Sequence, residues 1–510
     1  MPSPTPEDIS HDARAIAAEA TAAGAGRVTF LAEGKFVFSP VDEVVIASVL
    51  GTSRPQRYKF QIEVDGRWTD HSKYKVIDAS TSVLDALREG DLQTVGDVPT
   101  QQLARAAAAE PRVFSTALRG LSRHLSDRLT ADPTTAITQP ALRILDSLAE
   151  NHDDPNLRYL RGVVNLLDSV AGPSLKALIK GHDQGEALAN ATARVDADPI
   201  LYSTVEGKIA ASNVLGKIHS MSSRELAAPH FRQLRELDES GLIEHFYVDM
   251  GAMTYYSSSD LDDHAADDAA QIRASIEPLD GRRTRNRAAV AMSMDPRFYR
   301  IYGPLVHYYA QQLPAVDVNI ILCGESGDVD EVIADSQVFV QALDRFNHSG
   351  ASENVHYYRM PVPGFAIEPK TFYASARFFA AQTMLEHYES VYLMDADLTT
   401  DVDPQPFFRR IASVPFGTPR TNGFHVISPW RRYMAGNVPL NRATLETPVL
   451  DELQTYLAYG LRSRSSWMLD QNALAYVIER HPEHYTEINQ YKRPFYPPKF
   501  RSVWEKNFRG

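Results

Sequence analysis

A single cysteine, Cys323, stands in 510 residues, which excludes an internal disulfide framework and suits a reducing compartment. No apolar run approaches the roughly 18 residues that a bilayer span requires, so no membrane span is expected. Basic residues are outnumbered: the formal net charge of −13 disfavours a nucleic-acid or anionic-membrane partner, because a polyanion would be repelled. It leaves open a small anionic ligand held through a metal ion. Met1–Glu19 lacks a basic start followed by an apolar stretch, so no secretory signal is indicated and a cytoplasmic location is expected. There is no Gly-x-x-x-x-Gly-Lys phosphate loop, no paired-cysteine metal site and no Gly-x-Ser-x-Gly elbow. Gly324-Glu-Ser-Gly327 is read as a chain reversal after a strand.

What remains is an ordinary globular composition, 44% hydrophobic and 23% charged, in a chain long enough for two or three cores. Four segments are expected. Residues 1–26 form a tail, and 27–95 a small β-rich module with runs such as Val28–Leu31, Lys35–Phe38, Glu43–Ala47 and Lys59–Val64. Residues 96–280 form a helical domain punctuated by Asp132-Pro133, Asp154-Pro155 and Asp198-Pro199, and are open to a reading as degenerate helical repeats. Residues 281–510 alternate strand and helix: strands at Ala288–Met294, Val316–Cys323, Asn354–Met360 and Val391–Met394, with helices at Phe298–Leu313, Val329–Phe346 and Thr371–Tyr388. That alternation predicts an α/β domain with a mostly parallel sheet, whose ligands lie beyond the carboxyl ends of its strands.

Asp395 and Asp397 directly follow the last of those strands. Two carboxylates one residue apart at a strand tip can share a hard divalent cation such as Mn²⁺ or Mg²⁺, which takes oxygen ligands and neutralises a departing diphosphate. The spacing alone says little, since Asp196/Asp198, Asp260/Asp262, Asp328/Asp330 and Asp401/Asp403 repeat it. Only Asp395 and Asp397 follow an amphipathic helix and a four-residue apolar strand; the competing reading is a solvated acidic turn.

The stretch Thr371-Phe-Tyr-Ala-Ser-Ala-Arg377, then helix, then Ser390-Val-Tyr-Leu-Met-Asp-Ala-Asp-Leu-Thr-Thr-Asp401 resembles the donor-site core of the glycogenin-like and bacterial galactosyltransferase-like family. The resemblance spans residues 287–510. It implies a GT-A fold and a hexosyltransferase that uses a nucleotide-sugar, a UDP-sugar foremost, with Mn²⁺ and retention of configuration. It places Arg377 on the diphosphate or sugar oxygens, where a guanidinium offers a bidentate fork. Trp467-Met-Leu-Asp470-Gln471-Asn472 resembles the family's Asp-Gln segment, which puts Asp470 on sugar hydroxyls and Gln471 near the reacting carbon; a helix cap is the plain alternative for Asp470. Asn437, in Met434-Ala-Gly-Asn437, matches a sugar-binding segment whose order differs. Asp295 and Tyr299 are the candidates for the nucleoside, with Tyr299 equally read as a helix-packing aromatic.

The chain departs from the family in one respect, for the histidine and lysine segment that would complete the metal site is absent after Asp470. The basic, aromatic tail offers Lys499 and Arg501 as cations for the donor and Ser502 and Asn507 as further metal ligands; a packing tail is the alternative. Two rivals stand beside glycosyl transfer: a sugar nucleotidyltransferase, and a catalytically silent GT-A-like scaffold whose helical region binds a protein. The acceptor is open between protein, peptide and glycan. Removal of residues 1–256 is expected to spare donor hydrolysis and abolish transfer.

Overall fold

The computed structural model describes residues 11–12, 14–16, 18, 27–32, 35–38, 56–64, 67–70, 75–77, 83–182, 184–262, 264–280, 286–310, 313–347, 353–398, 405–464 and 467–491. They fall into two compact units. One holds the described residues up to Leu125 together with Gln139–Arg161; the other holds Ser126–Thr138 and the described residues from Gly162 onward.

In the first unit β1 (Arg27–Ala32), β2 (Lys35–Phe38), β3 (Gln56–Val64), β4 (Arg67–Asp70) and β5 (Lys75–Ile77) make an antiparallel sheet. Its order is β2-β1-β3-β4, with β5 also on β3. The expected strand Glu43–Ala47 lies outside the described residues.

Helices then follow from Val83, among them Pro111–Ala131, Thr135–Ala149, Pro155–Val170 and Gln184–Ala197, with α1 (Val205–His219) and α2 (Arg224–Leu237) near the end of the run. Two of the three Asp-Pro pairs, Asp154-Pro155 and Asp198-Pro199, are helix starts, while Asp132-Pro133 lies between the helices Pro111–Ala131 and Thr135–Ala149. Asp154 Oδ1 accepts from the backbone N–H of Asn156 and Leu157, and Asp198 Oδ1 accepts from that of Leu201. An aspartate at the cap followed by proline at the first helical position satisfies free amides and presets φ.

The second unit is built on an eight-stranded sheet ordered β13-β11-β12-β10-β7-β8-β9-β6. After the helices from Gly162 onward, α1 and α2 among them, its elements in chain order are α3 (His264–Ala274), β6 (Glu277–Pro278), β7 (Ala288–Met294), α4 (Pro296–Ala310), β8 (Asp317–Cys323) and α5 (Ser326–Asn347). They continue with β9 (Val355–Met360), α6 (Pro369–His387), β10 (Ser390–Met394), α7 (Gln405–Ile411), β11 (Phe416–Thr418) and β12 (Asn437–Asn441). The last are α8 (Val449–Gly460), α9 (Leu469–Arg480) and β13 (Tyr485–Glu487). Strands β10, β7, β8 and β9 run parallel, while β12 pairs antiparallel with β10 and β6 with β9.

Alternate residues of each parallel strand serve opposite cores, as the two-residue period of a strand requires. Ala289, Ala291, Ile321, Cys323, Val391 and Leu393 pack with α3, α6, α8 and α9. Val290, Met292, Met294, Ile320, Tyr392 and Met394 pack with α4, α5 and α7. Both faces are covered, so function is left to the strand ends.

Candidate active site

The parallel strands β7 and β10 are neighbours, and each ends at an aspartate: Met294 is followed by Asp295, Met394 by Asp395. Asp295 caps α4, accepting from the N–H of Phe298 on Oδ1 at 2.5 Å, with Pro296 as the first helical residue. Asp395 opens a turn closed by the Leu398 N–H on its carbonyl at 3.4 Å, which leaves Asp397 half-buried at the turn's tip.

Arg377 lies on α6, between Ala376 and Phe378 of the core that packs on the sheet, and is 2% exposed. A guanidinium taken out of water must be paired or it costs several kcal/mol. Its Nη2 lies 2.8 Å from Asp395 Oδ1 and 3.5 Å from Asp470 Oδ2, and donates to the Ala435 carbonyl at 3.2 Å. The backbone N–H of Arg377 donates to Ser293 Oγ at 3.2 Å, and that hydroxyl donates to the Tyr373 carbonyl at 2.6 Å, tying α6 to β7. Arg377 Nε is buried and finds no hydrogen-bond partner among the described residues. One orphaned N–H on a fixed guanidinium, beside a half-exposed carboxylate, suits an anionic oxygen from outside.

Asp470 sits in the first turn of α9, where its Oδ1 accepts from the Gln471 N–H at 2.8 Å and the helix dipole favours a negative charge. Burial dominates all the same and pushes its carboxyl up to about 6; the charge of Asp395 acts in the same direction and that of Arg377 against it. Immediately before this turn Met468 has φ 65°, the one non-glycine with positive φ among the described residues. Left-handed backbone costs a non-glycine residue about 1–2 kcal/mol, and such strain gathers at functional sites.

The structure therefore brings Arg377, Asp395 and Asp470 together, with Gln471 half-buried in the same turn as Asp470. It does not bring Tyr299 there. That residue is 1% exposed inside the α4–α5 core, its hydroxyl bonded to His307 Nε2 at 3.0 Å and to the Tyr357 hydroxyl at 2.8 Å. Asn437, 8% exposed, pairs with Met394 across the sheet and accepts on Oδ1 from the Tyr392 hydroxyl at 2.7 Å, so it fixes the β10 end from behind. Lys499, Arg501, Ser502 and Asn507 lie outside the described residues.

Two participants escape a reading of side-chain chemistry, and a third, the Ser293 hydroxyl, acts where its place in the sequence gives no sign of it. The Ala435 carbonyl and the close approach of Gly436 act through backbone, and Ser293 joins two elements 80 residues apart in sequence. A Gly preceding the polar Asn437 is the one visible signal of the Ala435 and Gly436 contacts.

The donor set of Asp395 and Asp397 is hard oxygen, of the kind Mn²⁺ and Mg²⁺ take, and the Asp395 side chain is 46% exposed. Among the described residues no group of three or more His, Cys, Asp or Glu converges on one point, so these two carboxylates would need substrate oxygens and water to complete a coordination shell.

No known family model matches this chain, and no curated protein sequence matches it. Among solved structures, the crystal structure of mouse xyloside xylosyltransferase 1 in its apo form is similar over 40% of this chain and 84% of that one, with 11% identity and a TM-score of 0.26. So low a score leaves the argument to the geometry of this chain itself.

Proposed function

We propose that this chain is a glycosyltransferase of GT-A architecture that moves a sugar from a nucleotide-sugar, a UDP-sugar foremost, to an acceptor. The observation that carries the reading is the buried Arg377 held between Asp395 and Asp470 at the carboxyl ends of parallel strands, with one N–H still to be satisfied. Strand ends of this kind are where open α/β sheets take their ligands.

In this reading Arg377 binds a diphosphate oxygen through Nε, and its charge, already fixed by two carboxylates, needs no reorganisation as the leaving group gains negative charge. Asp470 orients the sugar by accepting from its hydroxyls, and Gln471, next in the same turn, positions the reacting face. Asp295 lies at the neighbouring strand end, where the nucleoside would sit. Asp395 and Asp397 would hold Mn²⁺ or Mg²⁺, which when bound supplies charge neutralisation to the diphosphate. Retention of configuration follows from the resemblance of the Arg377 and Asp395-Ala-Asp397 segments to the glycogenin-like family. Lys499 and Arg501, with Ser502 and Asn507, are proposed to complete the diphosphate and metal contacts.

The test is nucleotide release. The full chain with Mn²⁺ and a panel of UDP- and GDP-sugars is expected to release nucleotide from at least one donor, and Arg377→Ala or Asp397→Ala to lower the rate by 100-fold or more. Absence of both release and nucleotide binding across the panel would overturn the reading in favour of a silent scaffold.

A further inference from the structure

Two large rings, one of them just before Asp470 in sequence and the other brought to it from the loop before the sheet, stand half in solvent. Tyr247 is 49% exposed and Trp467 is 45% exposed, in a chain where Trp430, Tyr255, Tyr299 and Tyr456 are fully buried. Their ring centroids lie 6.3 Å apart with planes inclined at 51°. Trp467 precedes Asp470 by three residues, and the left-handed Met468 turns the chain between them.

Rigid backbone carries both rings. The Val248 carbonyl accepts from Trp430 Nε1 at 3.0 Å, and Gly251 packs so tightly on that indole that a Cβ would stand 2.1 Å from it. Asn472 Nδ2 donates to the Gly251 carbonyl at 2.7 Å, and Thr254 Oγ1 donates to the Trp467 carbonyl at 3.5 Å, which fastens the Tyr247 loop to the start of α9. Each ring also has a charged residue three positions before it, Glu244 and Arg464, which face one another at 3.8 Å and are 40% and 56% exposed at their side chains.

We propose that Tyr247 and Trp467 form the acceptor subsite and that the acceptor is a saccharide, one pyranose ring stacked on the aromatic pair with its hydroxyls directed to Glu244 and Arg464. Flat apolar faces with polar edges suit the C–H face of a sugar, and a carboxylate beside a guanidinium offers two-pronged partners for neighbouring hydroxyls. Two rings are too small a platform for a stable protein partner, which needs about 800 Å² per side. The inference rests on the glycosyl-transfer reading for the placing of the acceptor beside Asp470.

Full-length protein is titrated by calorimetry and saturation-transfer NMR with mono- and disaccharides of glucose, galactose, mannose and N-acetylglucosamine, and with an unrelated peptide panel. The expected result is binding of at least one saccharide, weakened tenfold or more by Trp467→Ala and by Tyr247→Ala and less by Trp467→Phe. Val338→Ser, at a residue 75% exposed on α5, serves as the control that leaves binding unchanged. No saccharide bound by the wild type, equal binding by Trp467→Ala and wild type, or peptide binding at these rings would overturn the proposal. Nucleotide release by the wild type is measured separately. Saccharide binding without release rejects the transfer reading alone, and release without any effect of the rings rejects the platform alone.

Discussion

Gly436 stands so close to Asp395 that a Cβ built on it would lie 2.0 Å from Oδ2 and 2.6 Å from Cγ of that carboxylate. The other oxygen, Oδ1, is taken by Arg377, so the carboxylate is wedged between a guanidinium and a bare backbone. Gly436→Ala must push Asp395 away, and the half-exposed side chain can move without unfolding the sheet. The expected outcome is nucleotide release lowered tenfold or more with the melting temperature shifted by only a few degrees, checked by kinetics alongside calorimetry.

Asp470 is held above its ordinary range of 3.8, at about 6, so ionising it opposes folding. A carboxyl whose folded value is raised stabilises the native state below the unfolded value, and that contribution is lost as pH climbs through the folded one. Asp470→Asn removes this cost. It is expected to raise the unfolding free energy above pH 7 by up to about 3 kcal/mol, at about 1.4 kcal/mol per pKa unit, with no gain below pH 4, and to lower transfer. Urea unfolding at pH 4 and pH 8 checks it; equal stability at both pH values would contradict the assigned environment.

Two buried histidines set opposite limbs of the stability profile. His356 lies 3.0 Å from Asp280 and 3.5 Å from Asp317, and Asp317 is further held by the Tyr388 hydroxyl at 2.9 Å and Asn286 at 2.7 Å. Burial alone would lower the His356 value, but bonds to both aspartates outweigh it and push it up to about 9. Its contribution is full below the unfolded value of 6.5 and is lost as pH rises toward 9. His307, buried beside Tyr299 and Tyr357, is pushed down to about 4, so its neutral form loses stability for the fold as pH falls from 6.5. Each limb is worth at most about 3 kcal/mol. In the wild type the raised carboxyl of Asp470 opposes the acid limb between about pH 4 and 6, so the peak near pH 6.5 is expected in Asp470→Asn, and His356→Gln is expected to flatten the alkaline limb only.

The helical stretch before the sheet is not separable. Glu479 of α9 lies 2.7 Å from Arg224 on α2 and 3.1 Å from Arg432, and the Tyr456 hydroxyl of α8 donates to the Thr254 carbonyl at 2.7 Å. Trp430, 0% exposed, bonds Val248, and Lys217 pairs with Asp249 in the same buried region. Removal of residues 1–256 takes Arg224 from Glu479, the Thr254 carbonyl from Tyr456 and the Val248 carbonyl from Trp430, and breaking one buried ion pair costs about 3–5 kcal/mol. The fragment 257–510 is therefore expected to lose near-ultraviolet dichroism and all nucleotide binding, contrary to the expectation that donor hydrolysis survives.

Period and punctuation made the α/β part of the fold legible. Val391–Met394 lies within β10, Val316–Cys323 covers β8 with one extra residue, and Thr371–Tyr388 overlaps α6, whose start at Pro369 uses a proline at the first helical positions. The antiparallel entry of β12 beside β10 had no such mark, because pairing between distant segments leaves no local period.

The sequence by itself determined that strands and helices alternate after residue 287, that Asp395 and Asp397 follow a buried strand, and that Arg377 lies on the helix before it. Only the tertiary structure decided which of the many acidic residues share that arginine. Asp470 lies 93 positions away from Arg377 and joins it because α9 packs on α6, and Tyr299, close to Asp295 in sequence, turns into the opposite core. Chain proximity fixes local conformation, whereas the meeting of charges depends on which faces the packing of whole elements brings together.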